Sequence, residues 1–207
     1  MKKTNWKKLA VIVLCFLFVQ TSLAYLVTPI SVEGAVKSGL KKENNNYYYY
    51  VKGKKVKNTW KNIKVKSNGK TVTYKYYFGS NGAAYKGKKE YGMMIPAFKK
   101  IKGKYYAFDH NARMLKGTFV KNGKFYVFHS KTGVYDSAAT SKLRKASVQN
   151  KNAAALRKLL GKPLKTQVVP YSCYGDGKDV TLYYKNFMVG LFRNTKGQEI
   201  VVSLVAR

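Results

Sequence analysis

Apolar and polar positions along this chain follow three successive rhythms. Met1–Lys8 is lysine-rich, Leu9–Val19 is an unbroken apolar run, and Gln20, Thr21 and Ser22 then interrupt it. From about Tyr47, clusters of aromatic residues alternate with short Lys, Asn and Gly stretches. From about Thr140 the aromatic clusters stop, and Ala153, Leu156, Leu159 and Leu160 recur at helical spacing. Asn150 or Asn152 offers a helix start, and Gly161 followed by Pro163 a helix stop. Strands are predicted over 165–174, 180–184, 187–192 and 200–206, with Asn194–Gly197 as a hairpin turn. The chain thus reads as mainly β: a β-hairpin solenoid over 36–138, then a small α+β domain over 139–207, a helix followed by an antiparallel meander.

The first 35 residues have the form of a secretory signal, with a basic start, a short apolar core and small residues suited to cleavage near Ala24 or Ala35. No charge occurs from Leu9 to Val32, so an uncleaved anchor is the rival reading. A spanning helix needs about 20 mostly apolar residues, however, and Gln20–Ser22 fall near the middle of this one. Either reading leaves the rest of the chain outside the cytoplasm, because the lysine-rich flank stays inside. Membrane contact is expected only through this segment, if it is kept.

Four segments of the middle region share a pattern: Tyr47–Trp60, Lys75–Lys88, Tyr105–Thr118 and Phe125–Ala138. Each opens on aromatics, passes a polar turn and ends in a short run. Phe78, Phe108 and Phe128 mark one equivalent position, and the longer gap holds the insertion Lys89–Pro96. Aromatics favour strands, and Ser80-Asn-Gly82, Asn68-Gly69 and Asn122-Gly123 are turn signals. A lone two-stranded hairpin buries too little to be stable, so such units stack. Alternate strand residues face inward. Phe78, Phe108 and Phe128 are the expected core, whereas Trp60, Tyr77, Tyr106, Phe119 and Tyr126 are expected as exposed stacking surface.

Those segments resemble the aromatic, glycine-rich cell-wall-binding repeats of Gram-positive surface proteins, which include choline-binding and glucan-binding repeats. Tyr105-Tyr-Ala-Phe108 with Met114-Leu-Lys-Gly117 carries the resemblance best, within about residues 45–138. The motif's opening ring position holds Tyr47, Lys75, Tyr105 and Phe125, and its terminal Trp position holds Trp60, Lys88, Thr118 and Ala138. The resemblance implies wall or polysaccharide association, with Tyr105 and Phe125 joining the candidate ligand-binding residues. Leu156–Pro163 is similar to the Leu-Leu-Gly-x-Pro helix end of small exported domains, among them outer-membrane-assembly lipoproteins and the β-lactamase-inhibitor-like fold. Ser172–Tyr184 is similar to small domains of secreted Firmicute proteins.

Charge narrows the partner. The 207 residues hold 41 Lys and Arg against 8 Asp and Glu, a formal charge of +33. Residues 36–138 carry 24 basic and 4 acidic side chains, and residues 139–207 carry 13 and 3. The expected partner is therefore an anionic wall polysaccharide or teichoic acid. Nucleic acid is not expected: the basic residues are spread along an exported chain, with no DNA- or RNA-binding signature. An extracellular protein partner for residues 139–207, with the repeats as spacer, is the alternative.

Catalytic candidates are few. Cys173 with His110 or His129 is the one nucleophile–base combination, but neither His lies near it in sequence and no acid or oxyanion feature accompanies them. Asp176 and Asp179 lack calcium-loop spacing. No enzyme activity, metal or cofactor is expected.

Overall fold

Hairpins that close on tight turns dominate the chain because its turns carry residues that accept positive φ. The computed structural model describes residues 36–67 and 69–207. Residues 1–35, on which the expected secretory signal and its cleavage near Ala24 or Ala35 fall, and Asn68 lie outside them. Strands β1 (Gly39–Glu43), β2 (Asn46–Val51) and β3 (Lys54–Lys55) form a three-stranded antiparallel sheet. Four hairpins follow: β4 (Thr59–Ser67) with β5 (Lys70–Phe78), β6 (Lys88–Glu90) with β7 (Met93–Ile95), β8 (Ala97–Ile101) with β9 (Lys104–Phe108), and β10 (Gly117–Lys121) with β11 (Lys124–Phe128). The Lys89–Pro96 insertion thus supplies a short hairpin of its own. Lys102 and Gly103 sit at φ 47° and 79°, Asn122 and Gly123 at 50° and 65°. Positive φ at both central residues matches the twist of the flanking strands.

One backbone pattern recurs where each aromatic strand ends. Phe78, Phe108 and Phe128 bridge to Ala84, Met114 and Tyr135 across a short loop. The amides of Tyr85, Leu115 and Asp136 donate back to the carbonyls of Tyr77, Ala107 and Val127 at 3.1, 2.8 and 2.8 Å. The amides of Ala84, Met114 and Tyr135 donate instead to Tyr47, Lys75 and Tyr105, on an earlier aromatic strand, at 2.8, 2.7 and 2.9 Å. Each loop therefore ties one hairpin to a preceding one through main-chain atoms alone.

Helices α1 (Ser137–Ala146) and α2 (Ala154–Leu160) precede a four-stranded antiparallel meander: β12 (Lys165–Val169), β13 (Gly177–Tyr183), β14 (Phe187–Asn194) and β15 (Glu199–Ala206). The Asp136 side chain accepts from the Ala139 amide at the start of α1, and Asn152 from the Ala154 amide at the start of α2. The expected boundary at residue 138 falls inside α1; the helix expected between Asn150 or Asn152 and Gly161 corresponds to α2, and α1 lies before that expected start.

The core is a series of small aromatic clusters that ends in a larger one. Phe78, Phe108 and Phe128 are 0, 0 and 1% exposed, as their equivalent positions led us to expect. The last cluster joins Val120 and Phe125 of the β10–β11 hairpin to Leu143, Leu156, Val180, Leu182, Val189 and Leu191. Arg144 Nε donates to the Phe125 carbonyl at 2.8 Å, and the Val127 amide donates to Thr140 Oγ1 at 3.0 Å, fixing α1 on the hairpin. Glu199 clamps α2 to the meander: it accepts from Arg157 Nε, from Arg157 Nη2 at 2.9 Å, and from Arg193 Nη2 at 2.7 Å.

Gly87 lies where three strands crowd together. A Cβ there would sit 2.3 Å from the Ile95 carbonyl oxygen and 2.9 Å from that of Phe108. Gly87→Ala should cost about 1–3 kcal/mol, as overpacking does, and urea unfolding will measure it. An unchanged midpoint would show that the backbone opens freely there.

Two carboxyls link folding to pH. Hydrogen bonds from Lys37 and Tyr50 bring the Glu43 carboxyl down to about 2. Burial pushes Glu199 up, but the hydrogen bonds and charges of Arg157 and Arg193 outweigh it and leave the carboxyl below its usual value. Both folded values lie under the ordinary 4.5, so the unfolded chain takes up protons first. The stability they contribute is present above that value and lost as pH falls toward 2. Asp109, which burial pushes up, works in the opposite sense. The urea midpoint should therefore drop between about pH 6 and pH 3, and Glu199→Gln should lower the neutral-pH midpoint and flatten that slope.

Candidate functional site

Two hairpin junctions gather aromatic rings at the surface in the same arrangement. Thr59 pairs with Phe78 and Ala97 with Phe108, so the next residues, Trp60 and Phe98, are equivalent. Trp60 meets Tyr106 at 4.9 Å between centroids and stacks on Phe108 at 6.0 Å. Phe98 meets Tyr126 at 4.7 Å and Phe128 at 5.4 Å. A ring from the first strand of one hairpin is thus seated on two rings from the second strand of a later one. Tyr77 and Tyr85 extend the first cluster, at 5.0 Å from Trp60 and 6.1 Å from Phe108 respectively. Tyr135, 5.6 Å from Phe128, extends the second. There a cavity of about 270 Å³ opens among Phe98, Tyr105, Tyr126, Phe128, Tyr135 and Arg144.

The chain's own cations cover these rings. Lys75 Nζ lies 4.7 Å from the Trp60 ring centroid and Lys99 Nζ 5.2 Å from that of Tyr85. In the second cluster Lys121 Nζ lies 4.9 Å from Phe98, and the Arg144 guanidinium 4.4 Å from Tyr126. Ring faces attract cations at such distances by about 0.5–1 kcal/mol at exposed sites. The junctions therefore present positive charge over an aromatic floor. Among the described residues, ion pairs fall on only three carboxylates, Glu43, Glu90 and Glu199, so most lysines have no acidic neighbour.

The seven residues singled out from sequence divide. Trp60 and Tyr106 share the first junction, half-buried, and Tyr77 packs beneath Trp60 at 8% exposure. Tyr105, 49% exposed, and half-buried Tyr126 line the second cavity. The expectation of exposed faces is corrected at Tyr77 and Phe119, and Phe125 is likewise no surface ring: Phe119 and Phe125 are 2 and 0% exposed. Phe119 packs edge-on against Phe128, and Phe125 edge-on against Phe187 of β14 at 5.2 Å, so the neighbouring sheet takes up the face that a ligand would need. Sequence reasoning missed Tyr85, Phe98 and Tyr135, and the cations Lys75, Lys99, Lys121 and Arg144. Aligning Phe98 with Trp60 through the strand register would have found the second floor.

Nothing assembles around Cys173, which is exposed. His129 Nδ1 accepts from the amides of Lys131 and Thr132, and His110 Nε2 lies 3.0 Å from Asn111 Nδ2, so both rings serve their own turns. Among the described residues there is no group of three His, Cys, Asp or Glu that could hold a metal, and no helix long and apolar enough to cross a membrane.

No family model matches the chain, and comparison with curated proteins finds no relative. Among solved structures the chain resembles choline-binding repeat proteins. It is similar to choline binding protein F of Streptococcus pneumoniae, with 19% identity and a TM-score of 0.35, over 80% of this chain and 43% of that one. It is similar to the pneumococcal cell wall endolysin of phage Cp-1 complexed with choline, with 16% identity and a TM-score of 0.35, over 78% and 36%. A third is truncated alternansucrase of Leuconostoc mesenteroides, with 17% identity and a TM-score of 0.34, over 76% and 11%. The chain thus spans less than half the length of each. At these scores the likeness assigns this chain no ligand.

Covered ring faces should turn a free quaternary ammonium away. Millimolar choline should leave the Trp emission of the full chain unchanged, whereas Lys75→Ala should bring saturable quenching by freeing the Trp60 face. Equal quenching of the unaltered chain would show that Lys75 does not shield the ring.

Proposed function

We propose that this is an exported, non-enzymatic protein that associates with the bacterial cell wall. Its hairpins over 36–138 act as a solenoid that binds an anionic wall polymer or polysaccharide, and residues 139–207 act as a small α+β domain at its end. The observation that carries the reading is the pair of equivalent junctions at which lysine and arginine side chains ride over exposed aromatic edges. Such a surface offers an anionic sugar polymer two contacts at once, charge for its phosphates or carboxylates and ring faces for its sugars. The scarcity of carboxylates supports it, because most of this positive charge is left for a partner. The self-covered rings favour an anion over a quaternary ammonium.

Retention on purified Gram-positive walls tests the reading. Binding of the full chain should fall steeply as salt rises from about 0.05 to 0.5 M, since exposed charges are screened over about 8 Å at physiological ionic strength. Stripping teichoic acid should remove most of the retention. Retention indifferent to both treatments would sink the charge-driven reading.

A further inference from the structure

A second surface feature gathers cations from three separate stretches of chain. A cavity of about 500 Å³ opens between the β4–β5 hairpin, the loop after β9, the approach to β10 and the Lys185-Asn186 turn between β13 and β14. Lys75, Arg113, Lys116 and Lys185 line it, against a single carboxylate, Asp109. That carboxylate is already committed, since its Oδ1 accepts from the amides of Asn111 and Arg113, both at 2.8 Å. The Arg113 guanidinium lies 4.1 Å from the Tyr74 ring centroid, which fixes its plane, and its Nε is buried without a hydrogen-bond partner. Among the described residues, none of these four cations takes part in an ion pair.

We propose that this cavity is a phosphate-binding site, in which Lys75, Arg113, Lys116 and Lys185 converge on one phosphate of a polyol-phosphate chain. Several cations around one phosphate give charge-assisted hydrogen bonds, about twice as strong as neutral ones. The volume exceeds what a lone phosphate fills and falls within the usual range for small-molecule sites, roughly 300–1,000 Å³. Met114, Leu115 and Phe119 supply apolar lining against which the carbon backbone of the polyol can lie. Lys75 faces both this cavity and the Trp60 ring, so one lysine joins the site to the first aromatic junction. The proposal rests on the anionic-polymer reading above and gives that partner a definite point of attachment. It also ties the C-terminal meander to binding, since Lys185 comes from it.

The test is calorimetric titration of the full chain with inorganic phosphate, glycerol 3-phosphate and soluble poly(glycerol phosphate). Phosphate and glycerol 3-phosphate should bind at one site, and the polymer more tightly than either. Lys75→Gln with Lys185→Gln should weaken all three by about tenfold. Lys64→Gln with Lys66→Gln, which removes equal charge from the exposed face of the same hairpin, should change binding of phosphate and glycerol 3-phosphate by less than about twofold. Asp109→Asn keeps the turn acceptor while removing the negative charge, and should tighten binding; a merely structural Asp109 would not do so. Equal weakening by the two lysine pairs, or loss of affinity in Asp109→Asn, would overturn the site. The wall assay reads the broader proposal separately. Phosphate bound in the cavity by a protein that ignores walls sinks only the wall reading. Walls retained by a chain whose cavity takes no phosphate sink only the site.

Discussion

Ring burial across hairpin junctions is the interaction on which the rest of this structure depends. No hairpin here can cover its own aromatics, because two strands offer one face and no second layer. Trp60 is therefore seated on Tyr106 and Phe108, and Phe98 on Tyr126 and Phe128. Each buried Phe contributes on the order of 1.5–3 kcal/mol, and that contribution exists only when the neighbouring hairpin is in place. Burial of these rings thus depends on contacts between hairpins. At its end the same requirement is met differently, with Val120 and Phe125 sealed by α1 and the meander rather than by another hairpin.

The charge follows from the same packing. Half-buried rings leave edges and part of their faces at the surface, and long lysine side chains lie along them with their ammonium groups over the ring. Lys75, Lys99, Lys121 and Arg144 do this without an acidic partner. A positive surface of this kind is not balanced within the molecule, and one cavity brings together cations from separate parts of the chain. The structure thereby turns an overall composition into a few places with definite shape.

Much of the fold was legible, and the reasons it stopped being legible are local. The core phenylalanines Phe78, Phe108 and Phe128 could be read because they recur in a fixed relation to the turn that follows. The meander could be read from alternation and from Asn194–Gly197. The turns at Lys52-Gly53 and Lys102-Gly103 could not, since only their second residue carries a turn signal, and Lys accepts positive φ less readily than Asn. Helix α1 was not legible, because its buried face is only Thr140, Leu143 and Ala146. At the site, Trp60, Tyr106 and Tyr126 were legible as rings, whereas the burial of Phe119 and Phe125 was not. Which face of a strand meets solvent is decided by what packs on it, and Phe187 lies about 60 residues further on.

The ties between hairpins are made by main-chain atoms: the amides of Ala84, Met114 and Tyr135 reach the carbonyls of Tyr47, Lys75 and Tyr105. Such a joint is indifferent to what the side chains are. An alanine, a methionine and a tyrosine occupy the same seat, and the receiving residues are two tyrosines and a lysine. The scaffold therefore keeps its geometry while its decoration drifts. That is why a run of repeats can be so ragged in its motif, with Trp60, Lys88, Thr118 and Ala138 at one nominal position, and still keep the same main-chain ties between hairpins.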